Sequence, residues 1–354
     1  MADTRSSARS VLSLVVLLSP ISLAAPLSVM PLPLDDAEQA EAYRFPLVTG
    51  GVEAEAINTW LQVQVLERYP FSTEIAPLER VGLDPHGWGI RRLDYQVTGN
   101  TPAYLSLAID GDFLGAYDTQ YQSHFTFDAG TGRPLDLADF FSKDGLSDFQ
   151  ARVQRQWRDE IRALLSAPSE LDDEDRQVQR EHYENCLDVL KDSRTSWDFF
   201  VDDAGLHVRW QCGFGRAYRA LDELGTLQAD GDAETLRPWL SDFGACALAG
   251  DRTSCPRTYG EKGVYFGRID RHRIVLVLDG EDGGSYAYRN VGTPIPLRLT
   301  RRKDEALVLK WEGDTPAGRE MFILEPEADG FRGVWMRRTD PAPFDVELMA
   351  RPQP

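Results

Sequence analysis

The period of the apolar positions changes near residue 256. Before it, helical and strand periods mix; after it, only short runs of period two remain. Residues 52–66 place Ile57, Leu61, Val65 and Leu66 near one face with Trp60 beside them, which predicts a helix. Residues 89–97, 103–110 and 117–128 alternate as strands. In the third, Tyr121, Ser123, Phe125 and Phe127 share one face and His124 and Thr126 the other. Phe149, Val153, Trp157, Ile161 and Leu164 recur every three or four residues, and Ser147 stands three before Gln150 in a capping-box pattern that predicts a helix start. A charged helix follows over 172–190. A hairpin over 197–201 and 206–212 turns at Asp202-Asp203-Ala204-Gly205, and residues 236–243 close the unit. Strands and helices are grouped, not alternated, so the predicted class is α+β, an antiparallel sheet with helices.

Beyond residue 256 the apolar runs are 264–269, 273–278, 285–289, 295–299, 306–311, 320–324, 331–336 and 344–348. They are punctuated by Gly283-Gly284, Asp304, Asp314 and Asp329-Gly330. Eight short strands at roughly ten-residue spacing predict an up-and-down β-barrel, which leaves no unpaired edge. A sandwich is the alternative. The predicted organisation is residues 1–24 a signal peptide, 25–245 an α+β domain, 246–256 a linker loop and 257–354 the barrel.

The signal peptide rests on Arg5 and Arg9, an apolar run over 11–18 and the small-residue stretch Ser22-Leu23-Ala24-Ala25. The run is too short to span a bilayer, and cleavage after Ala24 is expected. At 42% hydrophobic and 27% charged residues the composition is that of a soluble globular protein. The net charge of −19 lies before residue 257, because acids and bases balance after it. Such a field repels nucleic acid and favours cationic partners. Cys186, Cys212, Cys246 and Cys255 are disulfide candidates in an exported chain, with three possible connectivities. Cys246 with Cys255 would close a short loop, leaving Cys186 to tie a helix to Cys212 on a strand. The spacing does not suit zinc, and no metal or cofactor is expected.

The stretch HFTFDAGTGRPLDLADFF, residues 124–141, invites comparison with a metal-dependent deacetylase motif. That chemistry needs two histidines four apart and a second carboxylate. The five histidines stand at 86, 124, 182, 207 and 272, and Ala129 takes the carboxylate's place. A turn explains the stretch better: Gly130 and Gly132 permit positive φ, Asp128 can bond the turn backbone, and Thr131 lies between them. Leu135, Leu137 and Phe140 pack the next segment down. The pattern Gly115-Ala116-Tyr117, a strand ending in Phe127-Asp128, Thr131-Gly132-Arg133 and Leu135-Asp136-Leu137 resembles a domain of unknown function. That domain is shared by PdaC-type deacetylases, outside their catalytic part, and RsiV-type anti-sigma factors. The resemblance spans residues 40–242 and includes Phe45-Pro46 through Ile57-Asn58. Tyr117 stands where the family has histidine, and Cys212-Gly213-Phe214-Gly215 replaces an apolar Tyr-rich loop. The resemblance implies an exported, non-catalytic module, and RsiV-type relatives bind lysozyme. The barrel resembles exported lysozyme inhibitors and lipocalins in strand count alone.

The resulting expectation is a non-catalytic binding protein of the cell envelope, periplasmic or secreted. Its expected partner is a cationic protein such as lysozyme, or a cell-wall component, with no catalytic residue and no membrane span once the signal is removed. One alternative is a glycan hydrolase using paired carboxylates such as Asp202/Asp203, Asp172/Asp173 or Asp128/Asp136. No Gly-x-Ser-x-Gly elbow or His-Glu-x-x-His helix accompanies them. The other is a barrel that carries a small apolar ligand.

Overall fold

The computed structural model describes residues 27–33, 41–70, 89–114, 118–191, 197–249, 255–256, 258, 260–280, 283–303, 306–311, 319–337 and 342–351. The expected signal peptide and residues 115–117 of the turn motif lie outside them. No described helix is long and apolar enough to cross a membrane.

The architecture is the expected α+β unit followed by a closed barrel. Strands β1 (Ser28–Pro31) and β2 (Pro46–Thr49) pair and lead into α1 (Glu53–Leu66). Strands β3 (Gly89–Asn100), β4 (Tyr104–Leu114) and β5 (Asp118–Asp128) form an antiparallel sheet in that order. Next come α2 (Leu137–Phe140), α3 (Lys143–Ser166) and α4 (Asp173–Val189). A second sheet holds β6 (Asp198–Asp202), β7 (Gly205–Gln211) and β8 (Thr226–Gly231), with a 3₁₀ turn at Arg216–Leu221 before β8. Helices α5 (Ala233–Leu236) and α6 (Asp242–Leu248) complete the unit.

In α3 the fourfold spacing buries Phe149, Val153, Trp157 and Ile161. The helix starts earlier than predicted. Its cap is Ser142, whose hydroxyl accepts from the Gly145 N–H at 3.1 Å, and Ser147 lies inside the helix. Trp157 stands against Trp197 and Trp210, with ring centroids 4.9 and 6.2 Å away, so α3 braces the β6–β8 sheet from behind.

The barrel runs β9 (Gly263–Ile269), β10 (His272–Leu278), β11 (Gly283–Tyr288), β12 (Ile295–Lys303), β13 (Ala306–Trp311), β14 (Glu320–Glu327), β15 (Gly330–Arg337) and β16 (Phe344–Met349). Each strand pairs antiparallel with its neighbours, and β16 closes on β9. Ile274, Leu276, Tyr286, Leu309, Phe322, Leu324 and Leu348 fill the interior among the described residues. Glu320 is buried there, accepting from the Arg337 guanidinium at 2.8 Å and from the Tyr286 hydroxyl. Burial, and then the Glu320 carboxylate, push the Tyr286 phenol far above its ordinary value. These packed side chains give no support to the carrier alternative among the described residues.

The barrel also shares a core with the α+β unit. On β9–β11 the alternate residues Val264, Phe266, Val275, Val277 and Ala287 point outward and bury against α1. This explains the unbroken apolar run Ile274-Val275-Leu276-Val277-Leu278, which is covered on both faces. Helix α1 buries Ala54, Ala56, Ile57, Trp60 and Leu61 between the barrel wall and Leu93, Leu105, Leu107 and Phe127 of the first sheet. Just after α1, the Tyr69 hydroxyl donates to the Ser285 carbonyl at 2.6 Å. Burial raises its pKa, although the Ser285 hydroxyl at 2.9 Å opposes the shift.

Cys186 of α4 is bonded to Cys212 beyond β7, and Cys246 of α6 to Cys255. Two disulfides are the chemistry of an oxidising compartment. The first closes a chain separation of 26 residues. The double variant Cys186→Ala/Cys212→Ala is expected to lose about 3 kcal/mol of unfolding free energy in urea titrations.

Candidate functional site

The turn predicted from Asp128, Gly130, Thr131 and Gly132 lies where the two halves meet. Asp128 is buried. One carboxylate oxygen accepts from the Gly130 N–H at 2.8 Å, and the other from the Thr258 hydroxyl at 2.8 Å and the Thr258 N–H at 3.3 Å. Its own carbonyl accepts from the Gly132 N–H at 2.8 Å. Arg133 reaches the same threonine through Nε at 3.1 Å and pairs with Asp139. Burial pushes Asp139 above the usual carboxylate value although Arg133 beside it opposes the shift. From just beyond the last barrel strand Arg351 donates to the Gly130 carbonyl at 3.2 Å. Thr258 and Arg351 belong to no motif in the sequence; only the packing brings them to the turn.

The glycines differ. Gly132 has φ +74°, and a Cβ there would stand 2.7 Å from the Glu53 carbonyl oxygen of α1. Gly130 has an ordinary φ, and its added Cβ would meet the Asp128 carboxylate at 3.4 Å. The expectation of positive φ at both is corrected to Gly132 alone.

Beside the turn lies a groove of about 790 Å³. Its floor is the edge of β5 from Gln120 to Thr126, and one wall is Trp60 and Gln64 of α1 with Lys262. The other is Trp197-Asp198-Phe199 with Arg209, Trp210 and Gln211 of the second sheet. Tyr121, Ser123 and Phe125 also border a second concavity of about 450 Å³ that reaches Ile90 and Phe113. Strand β6 crosses the face of the first sheet, where the Val201 N–H donates to the Ser106 hydroxyl at 3.2 Å. This crossing places the second wall. Lys262 pairs with Asp136 and lies 5.5 Å from the centre of the Trp60 ring.

On the β6 side a ring column runs His124, Phe200, His207, with successive centroids 4.7 and 4.5 Å apart. His124 Nδ1 lies 2.5 Å from an Asp198 carboxylate oxygen. His207 is held between Asp230 at 2.6 Å and Asp202 at 2.8 Å. Burial disfavours the charged imidazole, but its hydrogen bonds to these two carboxylates and their charge outweigh it and raise the His207 pKa. Burial likewise opposes ionisation of Asp202, yet His207 and the Ala204 and Gly205 N–H groups hold its carboxyl below the usual value.

The carboxylate pairs of the hydrolase alternative are engaged locally. Asp202 ties the β6–β7 turn; Asp172 caps α4, accepting from the Asp175 N–H at 2.9 Å; Asp136 starts α2. Of Asp128 and Asp136, only Asp136 lines the groove. Among the described residues no cluster of three or more metal-ligating side chains occurs.

No family model matches the chain, and no curated protein matches it. A solved structure of a member of the DUF3298 family from Bacteroides fragilis is similar over 59% of this chain and 88% of that one, with a TM-score of 0.39 and 14% identity.

Gly132→Ala is expected to cost about 2 kcal/mol or more, from the left-handed φ and the contact with α1. Gly130→Ala is expected to stay within about 0.5 kcal/mol; urea titration of both variants checks the pair. The raised His207 pKa stabilises the fold fully below its unfolded value of 6.5 and is lost as pH rises through the folded value. The Asp202 contribution is present above 3.8 and is lost as pH falls through its lower folded value. The stability advantage of the native chain over His207→Gln is therefore largest between these limits and shrinks towards alkaline pH, measured as urea midpoints across a pH series.

Proposed function

We propose that the protein is an exported, non-catalytic binding protein of the cell envelope, periplasmic or secreted, whose ligand site is the groove along β5. The observation that carries this reading is the groove itself. Half-buried Tyr121, Phe125, Phe199 and Trp210 offer apolar area, with exposed Gln64, Gln120, Gln122 and Gln211 beside them. Aromatic surface with a few neutral hydrogen-bonding groups suits recognition of a folded protein's segment or of a cell-wall polymer. The acidic charge of the chain supports a cationic partner such as lysozyme, since complementary fields speed encounter. The disulfides support the oxidising location. The turn motif's resemblance to the PdaC and RsiV domain supports a recognition role.

One observation favours a hydrolytic reading: the His124–Asp198 pair stands at the groove, close to the turn. A histidine held by a carboxylate is half of a nucleophile-activating arrangement. Here the His124 side chain is only 3% exposed and stacks on Phe200. The hydroxyls beside it are turned elsewhere: Thr126 bonds Ser106 at 3.0 Å, and Ser123 is on the opposite face of the strand. The pair is better suited to fixing β6 over β5 than to moving protons for a bound ligand.

Binding of the mature protein to lysozyme and to soluble peptidoglycan fragments, at low and high salt, tests the proposal. A complex that Trp210→Ala weakens at least tenfold, with circular dichroism unchanged, is expected; for lysozyme it weakens with salt. Absence of both complexes, or turnover of the fragments that His124→Gln abolishes, contradicts it.

A further inference from the structure

The two outer strands of the first sheet are treated differently by the sequence. Strand β3 carries Arg91, Arg92 and Asp94, has register shifts at Ile90/Arg92 and Val97/Gly99, and is bridged by Tyr43 at Leu93. These are the usual devices that keep an edge from pairing. Strand β5 pairs with β4 in unbroken register over eleven residues. Its stretch Thr119-Gln120-Tyr121-Gln122-Ser123-His124-Phe125-Thr126-Phe127 contains no proline, glycine, aspartate, glutamate, lysine or arginine.

The free side of β5 is already used at one end. After the turn the chain doubles back: the Asp128 N–H donates to the Arg133 carbonyl at 2.9 Å and the Leu135 N–H to the Thr126 carbonyl at 2.7 Å. Phe127 faces Pro134 in an antiparallel bridge. Because N–H and C=O of one residue point to the same side of a strand, the even-numbered residues direct their backbone groups to this edge. For Gln120, Gln122 and His124 no partner for those groups occurs among the described residues. Pairing stops where Pro134, which lacks an N–H, and Asp136 lead the chain away.

We propose that the groove binds an extended peptide segment of a partner protein as a fourth strand beside β5, continuing the pairing begun by residues 133–135. This rests on the reading of the groove as the ligand site and specifies its ligand. From Gln120 to Phe125 the open edge is roughly 20 Å, six residues of strand. Alternate side chains of the guest would meet Tyr121, Phe125 and the α1 wall on one face, and Gln122, Asp198 and Trp210 on the other. The backbone bonds supply affinity and the two walls select sequence. The edge lies between α1 and the β6–β7 wall, so a single extended chain fits where a second sheet would meet the walls. A glycan's hydroxyls could bond single main-chain groups, but only an extended peptide repeats donors and acceptors with the two-residue period of the edge.

The experiment pans a phage library of linear peptides against the full mature chain and measures synthetic versions of the selected peptides by calorimetry. Gln122→Pro removes one outward N–H and leaves the backbone bonds to β4 in place, and Gln122→Ala controls for the side-chain bonds to Asp110 at 2.9 Å and to Arg209 that it also removes. Gln122→Pro is expected to lower peptide affinity at least tenfold. Methylating single backbone nitrogens of the peptide tests the same point on the native protein, should that variant misfold. Losses of tenfold or more at every second residue, with little change between, are expected. Peptides that bind without this period-two pattern, or a library that yields none, overturn the proposal. Cell-wall fragments that bind in the groove with Gln122→Pro unaffected overturn it while leaving the groove a ligand site. A concentration-dependent dimer that Gln122→Pro dissolves overturns it in favour of a second copy.

Discussion

A buried carboxylate needs strong partners, and Asp128 finds them on both sides of the molecule. Its oxygens take N–H and O–H donors from its own turn and from Thr258, at the threshold of the barrel. Burying an unpaired charge of this kind would cost several kcal/mol, so the turn and the barrel are required to stay in register. Everything near the site follows from that requirement. Gly132 is pressed against α1, Arg133 spans Thr258 and Asp139, and the chain that leaves the turn is laid along the end of β5. Residues that resemble a catalytic motif in the sequence therefore act as the joint of the structure.

The joint also explains why the barrel is not a separate body. Barrels are ordinarily polar outside, yet β9, β10 and β11 present Val264, Phe266, Val275 and Val277 to α1. Helix α1 is thus a shared core element, wedged between a sheet and a barrel wall. Because Lys262, just before β9, reaches Asp136 and Trp60, the start of the barrel forms part of the groove's rim. The barrel acts on the site as a buttress, with the described side chains packed in its interior.

The fold class and all eight barrel strands were legible because each run is a local apolar alternation closed by turn residues. Strand β8 was not. Thr226-Leu227-Gln228-Ala229-Asp230-Gly231 has only two apolar residues, and it is a strand because Leu227 and Ala229 face the core while Asp230 meets His207. Helix α3 was expected to start at Ser147, but it starts at Ser142, where Gly145 packs closely against the Trp239 backbone. The turn was legible in Asp128 and Gly132, whereas Thr258 and Arg351 arrive from distant parts of the chain. The groove was invisible for the same reason. Whether β5 is an edge, and what stands on either side of it, depends on β6 crossing the sheet, which no local pattern encodes.

Amide hydrogen exchange along β5, read residue by residue by NMR on the unliganded protein, bears most directly on whether one strand is closed by the turn at one end and open along its length. The N–H groups of Tyr121, Ser123, Phe125 and Phe127, which face β4, and of Asp128, which donates to Arg133, should be protected, while those of Gln120, Gln122 and His124 exchange fast. Uniform protection along the strand would mean that its edge is already covered, and the groove would not be the binding site.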